Sequence, residues 1–377
     1  MARLPELKPE NMTEQQRITA AEIGEPGTGR LRGPFVVWIH LPELAKSIND
    51  VSNTLKRTMT IRQKDYQLIV ITIAKFYGAR YMWGNHAGFA IRDGVPQSVV
   101  DAINEGVAPE FDDPVSEMIY RVTMITCCRK ALSAEVFEEA VAVLGRNTLT
   151  EISTIAGIYV LYAVTFAAFD VPPKPGAYPL LPNAPYAQVP PYTPSALPRL
   201  QPLVFEELTE AEQRVYRQIA GPRDGVVSGP FMARIHLPEL CESIQRISDI
   251  LRTNSNFSRD IFEMITLIAA RGFNAAYMWG VHTAAAAKAG LPQAVIDAIN
   301  RGERFVFEDE RAQVIFDVCT ALSRQEPLSE ELYSHALDVL GLELLIEAVA
   351  DLGYYASSAT TINVYDIPAK EGTLPFV

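Results

Sequence analysis

Two histidines, His86 and His282, lie in copies of one short segment whose residue types could support proton transfer. The copies read Tyr-Met-Trp-Gly-x-His and occupy residues 81–86 and 277–282, an offset of 196. Imidazole exchanges a proton near neutral pH, and an apolar wall beside it can hold a small organic molecule. The segment therefore indicates acid–base chemistry, although a histidine among aromatic residues can equally be a core residue bonded to a backbone carbonyl.

The histidine segment is predicted to be a helix that presents one face to a site. Steps of three and four residues return to the same side of a helix, so positions 79, 83, 86 and 90 share a face. We therefore expect Trp83 to lie beside His86, and Trp279 to lie beside His282. Gly94 and Gly290 follow as candidate C-caps that end the two helices.

The similarity extends well beyond the histidines. Between residues 77–106 and 273–302, 16 of 30 aligned positions are identical, whereas unrelated segments would share roughly two. We call residues separated by 196 positions counterparts. Duplication predicts two copies of one folded unit, each long enough to bury a core of its own.

The elements around the histidine segment are predicted to be helical. Thr13 and Thr209 each precede Gln or Glu by three residues, which is the form of a capping box. Pro42 and Pro238 suit the first turn of a longer helix. The apolar segment from Gln63 could be a strand because it is rich in β-branched residues, but its counterpart from Arg259 favours a helix, and duplicated units should share a fold. The expected fold class is all-α.

A proline-rich segment divides the two copies. Residues 172–202 contain 11 of the 26 prolines in the chain, a density that excludes helix and favours an extended path. We therefore assign residues 1–171 and 203–377 to two tandem helical domains joined by this linker.

Composition argues against several classes of function. A formal net charge of −12 with no cluster of Lys and Arg opposes nucleic-acid binding. The absence of an apolar run of 18 residues argues against a membrane protein, and the N-terminal sequence lacks a secretory pattern, so we expect a cytoplasmic protein. The four cysteines form no C-x-x-C pair and are expected to be reduced core residues.

Neither a metal nor a nucleotide cofactor is expected. His86 and His282 have no second histidine or carboxylate at a metal-ligand spacing beside them. No glycine-rich loop follows a strand, so a phosphate cradle is missing.

The order of motifs along the chain resembles the carboxymuconolactone decarboxylase-like superfamily. The residues that carry the resemblance are Gly-Pro-Phe, His-x-Pro-Glu-Leu, an apolar helix headed by Glu, Tyr-x-Trp-x-x-His, Ala-Gly-Leu-Pro and a late Gly-Tyr-Tyr with an Asn before Val-Pro, some of which occur in one copy only. It covers nearly all of both copies, so the chain resembles two such subunits fused in tandem. The resemblance implies helical subunits that associate into oligomers. It also implies either cofactor-free decarboxylase or thiol peroxidase chemistry.

The residues before the histidines exclude the peroxidase mechanism. Peroxidases of this kind need a C-x-x-C pair whose thiolate attacks the peroxide. Here the two positions hold Ala79 and Met82 in the first copy, and Ala275 and Met278 in the second. Decarboxylase-like members commonly have Glu in place of the methionine, so both copies depart from that pattern as well.

The two copies differ where the resemblance places functional residues. A glutamate 19 residues before the histidine is present as Glu263 but replaced by Gln67 in the first copy. Glutamate could orient the imidazole and stabilise its charged form, whereas glutamine can only hydrogen-bond it. Two further residues of this kind, Tyr354 and Asn363, have the counterparts Ile158 and Ala167.

These differences predict a working site in the second copy. His282 and Glu263 are the expected catalytic residues, and the expected substrate-binding residues are Tyr277, Met278, Trp279, Tyr354 and Asn363. The first copy is expected to hold a degenerate or differently specific site made of His86, Gln67, Tyr81, Met82 and Trp83.

The predicted function is that of a lyase without a cofactor, acting on a small organic acid or lactone. The alternative is a non-catalytic helical protein, a scaffold or a small-ligand binder, that retains the fold. If single subunits of the superfamily pair and then trimerise, a fused chain replaces one pair by an internal pseudo-twofold. We therefore expect a homo-oligomer, a trimer of fused pairs.

Overall fold

The regular structure of the chain consists of helices. The computed structural model describes residues 3–4, 7–221, 225–369, 372–373 and 376. Within these residues every regular element is an α-helix or a short 3₁₀ turn, so the all-α prediction is confirmed.

The helices form two series with the same order. The first series consists of α1 (Glu14–Ile23), α2 (Phe35–Trp38), α3 (Pro42–Thr58), α4 (Gln63–Phe76), α5 (Arg80–Arg92), α6 (Gln97–Glu105), α7 (Pro114–Cys127), α8 (Ala134–Leu144) and α9 (Arg146–Phe169). The second series consists of α10 (Glu210–Ala220), α11 (Phe231–Arg234), α12 (Pro238–Thr253), α13 (Arg259–Gly272), α14 (Ala276–Ala289), α15 (Gln293–Arg301), α16 (Glu310–Ser323), α17 (Glu330–Leu340) and α18 (Leu342–Val364).

Local sequence signals set the predicted helix starts. The Thr13 hydroxyl accepts a hydrogen bond from the Gln16 backbone N–H, and the Gln16 side chain accepts one from the Thr13 N–H. Thr209 and Glu212 form the same capping box. Pro42 and Pro238 occupy the first turns of α3 and α12, where a missing N–H costs nothing.

The apolar segment from Gln63 to Phe76 is a helix, as predicted. Its β-branched residues favour a strand locally, but Ile69, Val70 and Ile71 are completely buried, and their packing outweighs the modest difference in propensity. The two histidine helices end slightly differently. Asp93 is the C-cap of α5, one residue before the predicted Gly94, whereas Gly290 caps α14 in the left-handed conformation.

The two series meet along α9 and α18, which cross antiparallel at the centre of the structure. Glycines allow the close approach: a Cβ at Gly157 would lie 2.5 Å from the Ser357 carbonyl oxygen, and one at Gly353 would lie 2.5 Å from a methyl carbon of Leu161. The Thr360 hydroxyl donates to the Ser153 carbonyl at 2.9 Å. One continuous apolar core includes buried residues of both series.

By length and composition alone, α9 could cross a membrane, but 94% of its most apolar stretch is buried inside the structure. A core helix of a soluble protein meets the same criterion, so this helix is weak evidence for a membrane location.

The proline-rich residues 172–202 contain no helix, as predicted, and contact both series. The Trp83 indole N–H donates to the Pro179 carbonyl at 3.1 Å, and the Lys75 ammonium donates to the Leu181 carbonyl at 3.0 Å. Arg199 is buried and donates to the carbonyls of Leu132 and Val364 at 2.6 and 2.9 Å. Side-chain donors therefore satisfy backbone carbonyls of this segment that would be bonded within a helix, and Arg199 in turn ties the segment to both series.

Candidate active site

A cavity of about 520 Å³ opens beside His282. It lies between α12, α13, α14 and α18 and the segment that precedes α11. Its walls combine apolar and aromatic side chains with two arginines and a few hydroxyls, the composition of a small-molecule site. The lining includes Ser228, Phe231, Ser248, Arg252, Arg259, Glu263, Tyr277, Met278, His282, Tyr354, Tyr355 and Ser358.

His282, Glu263 and Arg259 form a chain of charged and hydrogen-bonded groups at the cavity wall. The Glu263 Oε2 atom lies 2.7 Å from His282 Nδ1, and Glu263 Oε1 forms an ion pair with the Arg259 guanidinium one turn earlier on α13. Glu263 is completely buried, whereas the side chain of His282 is 14% exposed. A buried carboxylate is costly unless it is paired, and here both of its oxygens have partners.

This arrangement fixes the orientation of the imidazole. When Nδ1 carries a proton and donates it to Glu263, the other ring nitrogen, Nε2, is the atom left for a substrate. No described residue forms a hydrogen bond with Nε2. Glu263 stabilises the positive ring that forms when Nε2 takes up a proton, so the pair suits a proton-transfer role.

Tyr355 contacts the histidine directly. Its ring meets His282 edge-on, with centroids 5.2 Å apart, and it meets Phe262 in the same manner at 5.7 Å. Tyr354, the residue that the sequence singled out, also lines the cavity. Sequence reasoning missed Tyr355, although the Gly-Tyr-Tyr motif contains it, and also missed Arg259, whose four-residue spacing from Glu263 was a usable signal.

The other predicted residues divide between the cavity and the core. Tyr277 and Met278 line the cavity, and the Tyr277 ring lies over Gly229, where a Cβ would come within 2.7 Å of it. Trp279 is not part of the lining and packs against Phe376, with ring centroids 5.6 Å apart. Asn363 also lies outside the lining and donates to the Phe273 carbonyl at 2.9 Å.

Helix geometry explains why the side chains of Trp279 and His282 point in different directions. Residues three apart differ by about 60° around a helix, whereas positions 278, 282 and 285 follow the i, i+4, i+7 pattern of a single stripe. That stripe faces the cavity, because Met278, His282 and Ala285 all belong to its lining.

The first series places a different network around His86. Gln67 Oε1 lies 2.8 Å from His86 Nδ1, and the Gln67 amide nitrogen donates to Asp93 at 3.0 Å. Burial lowers the pKa of His86 to about 4. The ring is therefore neutral at pH 7, with no carboxylate bonded to it that would favour the charged form.

Larger side chains surround His86 than surround His282. Tyr162 stands where the second series has Ser358, and its hydroxyl bonds that of Ser52 at 2.6 Å. Phe89 stands where the second series has Ala285 and meets the His86 ring edge-on at 5.9 Å. Ser358 and Ala285 line the cavity beside His282, so two positions with small side chains at that cavity hold large aromatic ones in the first series.

The remaining residues predicted for the first site are held in packed positions. Tyr81 stacks on Phe166 with ring centroids 5.2 Å apart. Met82 and Trp83 are buried, and the Trp83 indole bonds the proline-rich segment. Among the described residues, no three His, Cys, Asp or Glu side chains are grouped so that they could hold a metal ion.

Asp351 is a buried carboxyl group behind the site. It lies one turn before Tyr355 on α18, is completely buried, and neither of its oxygens has a hydrogen-bond partner among the described residues. Burial, reinforced by nearby Glu347, raises the pKa of Asp351 well above its ordinary value. Its counterpart in the first series is Ile155, so the fold does not require an acid at this position.

Replacing Asp351 with valine is expected to raise the free energy of unfolding at pH 7 by about 1–3 kcal/mol, because it removes an unpaired buried polar group. The raised folded-state pKa means that the unfolded chain loses this proton as the pH rises from 4 to 7, whereas the folded chain keeps it. The gain should therefore be larger at pH 7 than at pH 4. Urea unfolding at both pH values measures it.

The reciprocal change, Ile155→Asp, is the matched control and should destabilise the protein. Equal or lower stability of Asp351→Val at pH 7 would show that Asp351 has partners that offset its burial.

Comparison of the chain with models of known protein families, with curated proteins and with solved structures finds no match. The functional proposal therefore depends on the residues and geometry of this chain.

Proposed function

We propose that the chain is a cofactor-independent lyase, similar to carboxymuconolactone decarboxylases, that acts on a small organic acid or lactone. The observation that supports this most is the contact of His282 with Glu263 and of Glu263 with Arg259 at the wall of a cavity of about 520 Å³. His282 is the proton-transfer residue, and Glu263 and Arg259 position it.

The charges at the cavity wall favour an acidic substrate. Arg252 and Arg259 both belong to the lining, and a guanidinium can bind a carboxylate through two parallel hydrogen bonds. Tyr277, Met278 and Tyr354 supply the apolar part of the wall. A substrate with a carboxylate at the arginines and a compact carbon skeleton against the apolar wall matches this combination.

A decarboxylation at this site balances without a cofactor. The bond between the substrate carbon and its carboxylate breaks, CO₂ leaves, and the electron pair remains on the substrate as an enolate. Protonated His282 then gives its Nε2 proton to that carbon, and water restores the proton to the ring. The apolar part of the wall favours loss of a carboxylate that lies against it and not against the arginines, and Glu263 stabilises the ring while it is charged.

The alternative is a protein that binds a small acid without converting it. Met278 favours this alternative, because it lines the cavity at the position where decarboxylase-like members commonly have Glu. Methionine can neither donate nor accept a substrate proton.

We further propose that the two series are tandem domains, residues 1–171 and 203–377, related by a pseudo-twofold. Reciprocal contacts support this: Gly157 approaches Ser357, and their respective counterparts Gly353 and Leu161 approach each other. Such pairs are what a twofold axis produces. The proposal extends to a cytoplasmic homo-oligomer, a trimer of fused pairs.

A panel of carboxylated lactones and β-keto acids tests the proposed function. At least one compound should raise the melting temperature of the protein and also release CO₂ at a rate proportional to enzyme concentration. Chromatography of the products and a CO₂ assay measure the turnover. Stabilisation without turnover would contradict the lyase and support the binding protein.

A further inference from the structure

A second cavity, of about 400 Å³, lies at the opposite end of α13 from the His282 site. Arg259 stands at the first residue of α13 and Arg271 near its last, so their backbones are about 18 Å apart. Four arginines line the second cavity, and Glu303 is the only acidic residue among the described residues of its lining. These arginines are Arg129, Arg271, Arg301 and Arg324. Such a concentration of positive charge is unexpected in a chain with a formal net charge of −12.

Backbone carbonyls at helix ends hold three of these guanidinium groups in place. Arg129 Nη1 donates to the carbonyl of Gly272 at 2.7 Å and also to that of Ser323. Arg271 donates to the Asn300 carbonyl at 2.8 Å, and Arg324 donates to the Gly302 carbonyl at 2.7 Å. A carbonyl is neutral, so the bonds of Arg129 and Arg324 orient these two groups without cancelling their charge. Arg301 differs, because it forms an ion pair with Glu303 at 2.8 Å.

Arg129 has donors that these contacts do not satisfy. Its Nε and Nη2 atoms are shut off from solvent and form no hydrogen bond of acceptable geometry with a described residue, although the Tyr77 hydroxyl lies near the guanidinium. The group lies over the Phe273 ring, 4.3 Å from its centroid. Arg129 is therefore a fixed positive charge behind the cavity wall, which attracts an anion through its charge and not through a direct hydrogen bond.

The arginines are not a general requirement of this fold. Arginine near a helix C-terminus commonly caps carbonyl groups, which could by itself explain the cluster. The counterparts of the four arginines, in the order given above, are however Gln325, Lys75, Glu105 and Cys128. The equivalent helix ends therefore form with a single cationic side chain, Lys75. Of the two equivalent places in the fold, only this cavity therefore carries a concentration of positive charge.

We propose that the arginine-lined cavity binds a small molecule carrying two or more oxyanion groups, either phosphate or carboxylate. Planar guanidinium groups bind both chemistries through paired hydrogen bonds. The arginines outnumber the carboxylates among the described residues of the lining, which favours a ligand with several negative charges over a single one. This site is separate from the His282 cavity and does not depend on the function proposed for it.

Isothermal titration calorimetry with inorganic pyrophosphate and with citrate tests the proposal on the intact chain. At 50 mM NaCl we expect a Kd below about 1 mM for at least one probe, weakening at higher salt because charge dominates the binding. Binding of pyrophosphate alone indicates a phosphate ligand, and binding of citrate alone indicates a polycarboxylate. If both probes bind, the site selects its ligand by charge. Failure of both probes to bind at 10 mM would overturn the proposal.

Matched variants locate the binding. Arg301 and Arg324 are exposed, so the double variant Arg301→Gln, Arg324→Gln should fold normally and bind the probe at least tenfold more weakly. Arg304→Gln is the control, because Arg304 pairs with Asp317 and does not line the cavity. Its Kd should stay within about twofold of wild type. Unchanged binding by the double variant, or equal weakening in Arg304→Gln, would contradict the assignment.

Discussion

Replacing His282 with glutamine is expected to lower turnover about 10³-fold, because it removes the only imidazole among the described residues that line the His282 cavity. Glutamine has a similar size and can still hydrogen-bond Glu263, so the fold should be retained. The initial rate on an active compound from the substrate panel measures the loss, and the circular dichroism spectrum checks the fold.

The same substitution at His86 is the matched control. The first histidine is surrounded by large aromatic side chains, and its pKa is lowered to about 4, so it cannot act as an acid at pH 7. His86→Gln should therefore leave turnover within about twofold of wild type. Comparable losses in the two variants would mean that both histidines work, and loss in His86→Gln alone would place the site in the first series.

The second large effect is expected from Glu263→Gln, which gives the second site the residue found in the first. The amide can still accept a hydrogen bond from Nδ1, but it no longer stabilises the charged ring, and it leaves Arg259 without its carboxylate. We expect kcat to fall about 10²-fold with KM changed only a few-fold. Asp317→Asn breaks an exposed pair with Arg304 away from the cavity and serves as the control. A fall in kcat as large in that control would contradict the role of Glu263.

The reverse exchange tests the same physical reason without a substrate. Gln67→Glu gives the first series the carboxylate that contacts the imidazole in the second series. Asp93→Ala is combined with it because Asp93 contacts Gln67 and has Ala289 as its counterpart, so the pair of changes avoids two adjacent carboxylates. A carboxylate at Nδ1 favours the charged ring, so the pKa of His86 should rise from about 4 by one unit or more. Histidine resonances followed by NMR between pH 3 and 8 report it. An unchanged pKa would show that Gln67 does not control the ring.

The sequence was sufficient to predict the helices that carry the site. Capping boxes at Thr13 and Thr209 and prolines at 42 and 238 act over a few residues, and the structure confirms the helices that they begin. The contact of His282 with Glu263 joins the two residues that the resemblance to the superfamily singled out at a spacing of 19. The helix starts depend on local spacing, which a single sequence displays, whereas the glutamate was expected from the resemblance.

The rest of the cavity depends on contacts between distant parts of the chain. Ser228 and Ser248 reach the lining from segments before α11 and within α12, and no local pattern marks them. Trp279 and Asn363 were expected at the site, but Trp279 packs against Phe376 and Asn363 bonds the end of α13. Their directions follow from helix rotation and from the packing of α18, which residue type alone does not determine.

The most direct test of the central claim is a double-mutant cycle on kcat with His282→Gln, Glu263→Gln and the combination. Residues that act as a unit lose far less together than the product of their separate losses. If Glu263 works by holding and stabilising His282, adding Glu263→Gln to His282→Gln should change the residual rate by less than about twofold. If instead the two losses multiply, Glu263 acts independently of His282, and the proposed proton-transfer pair is wrong.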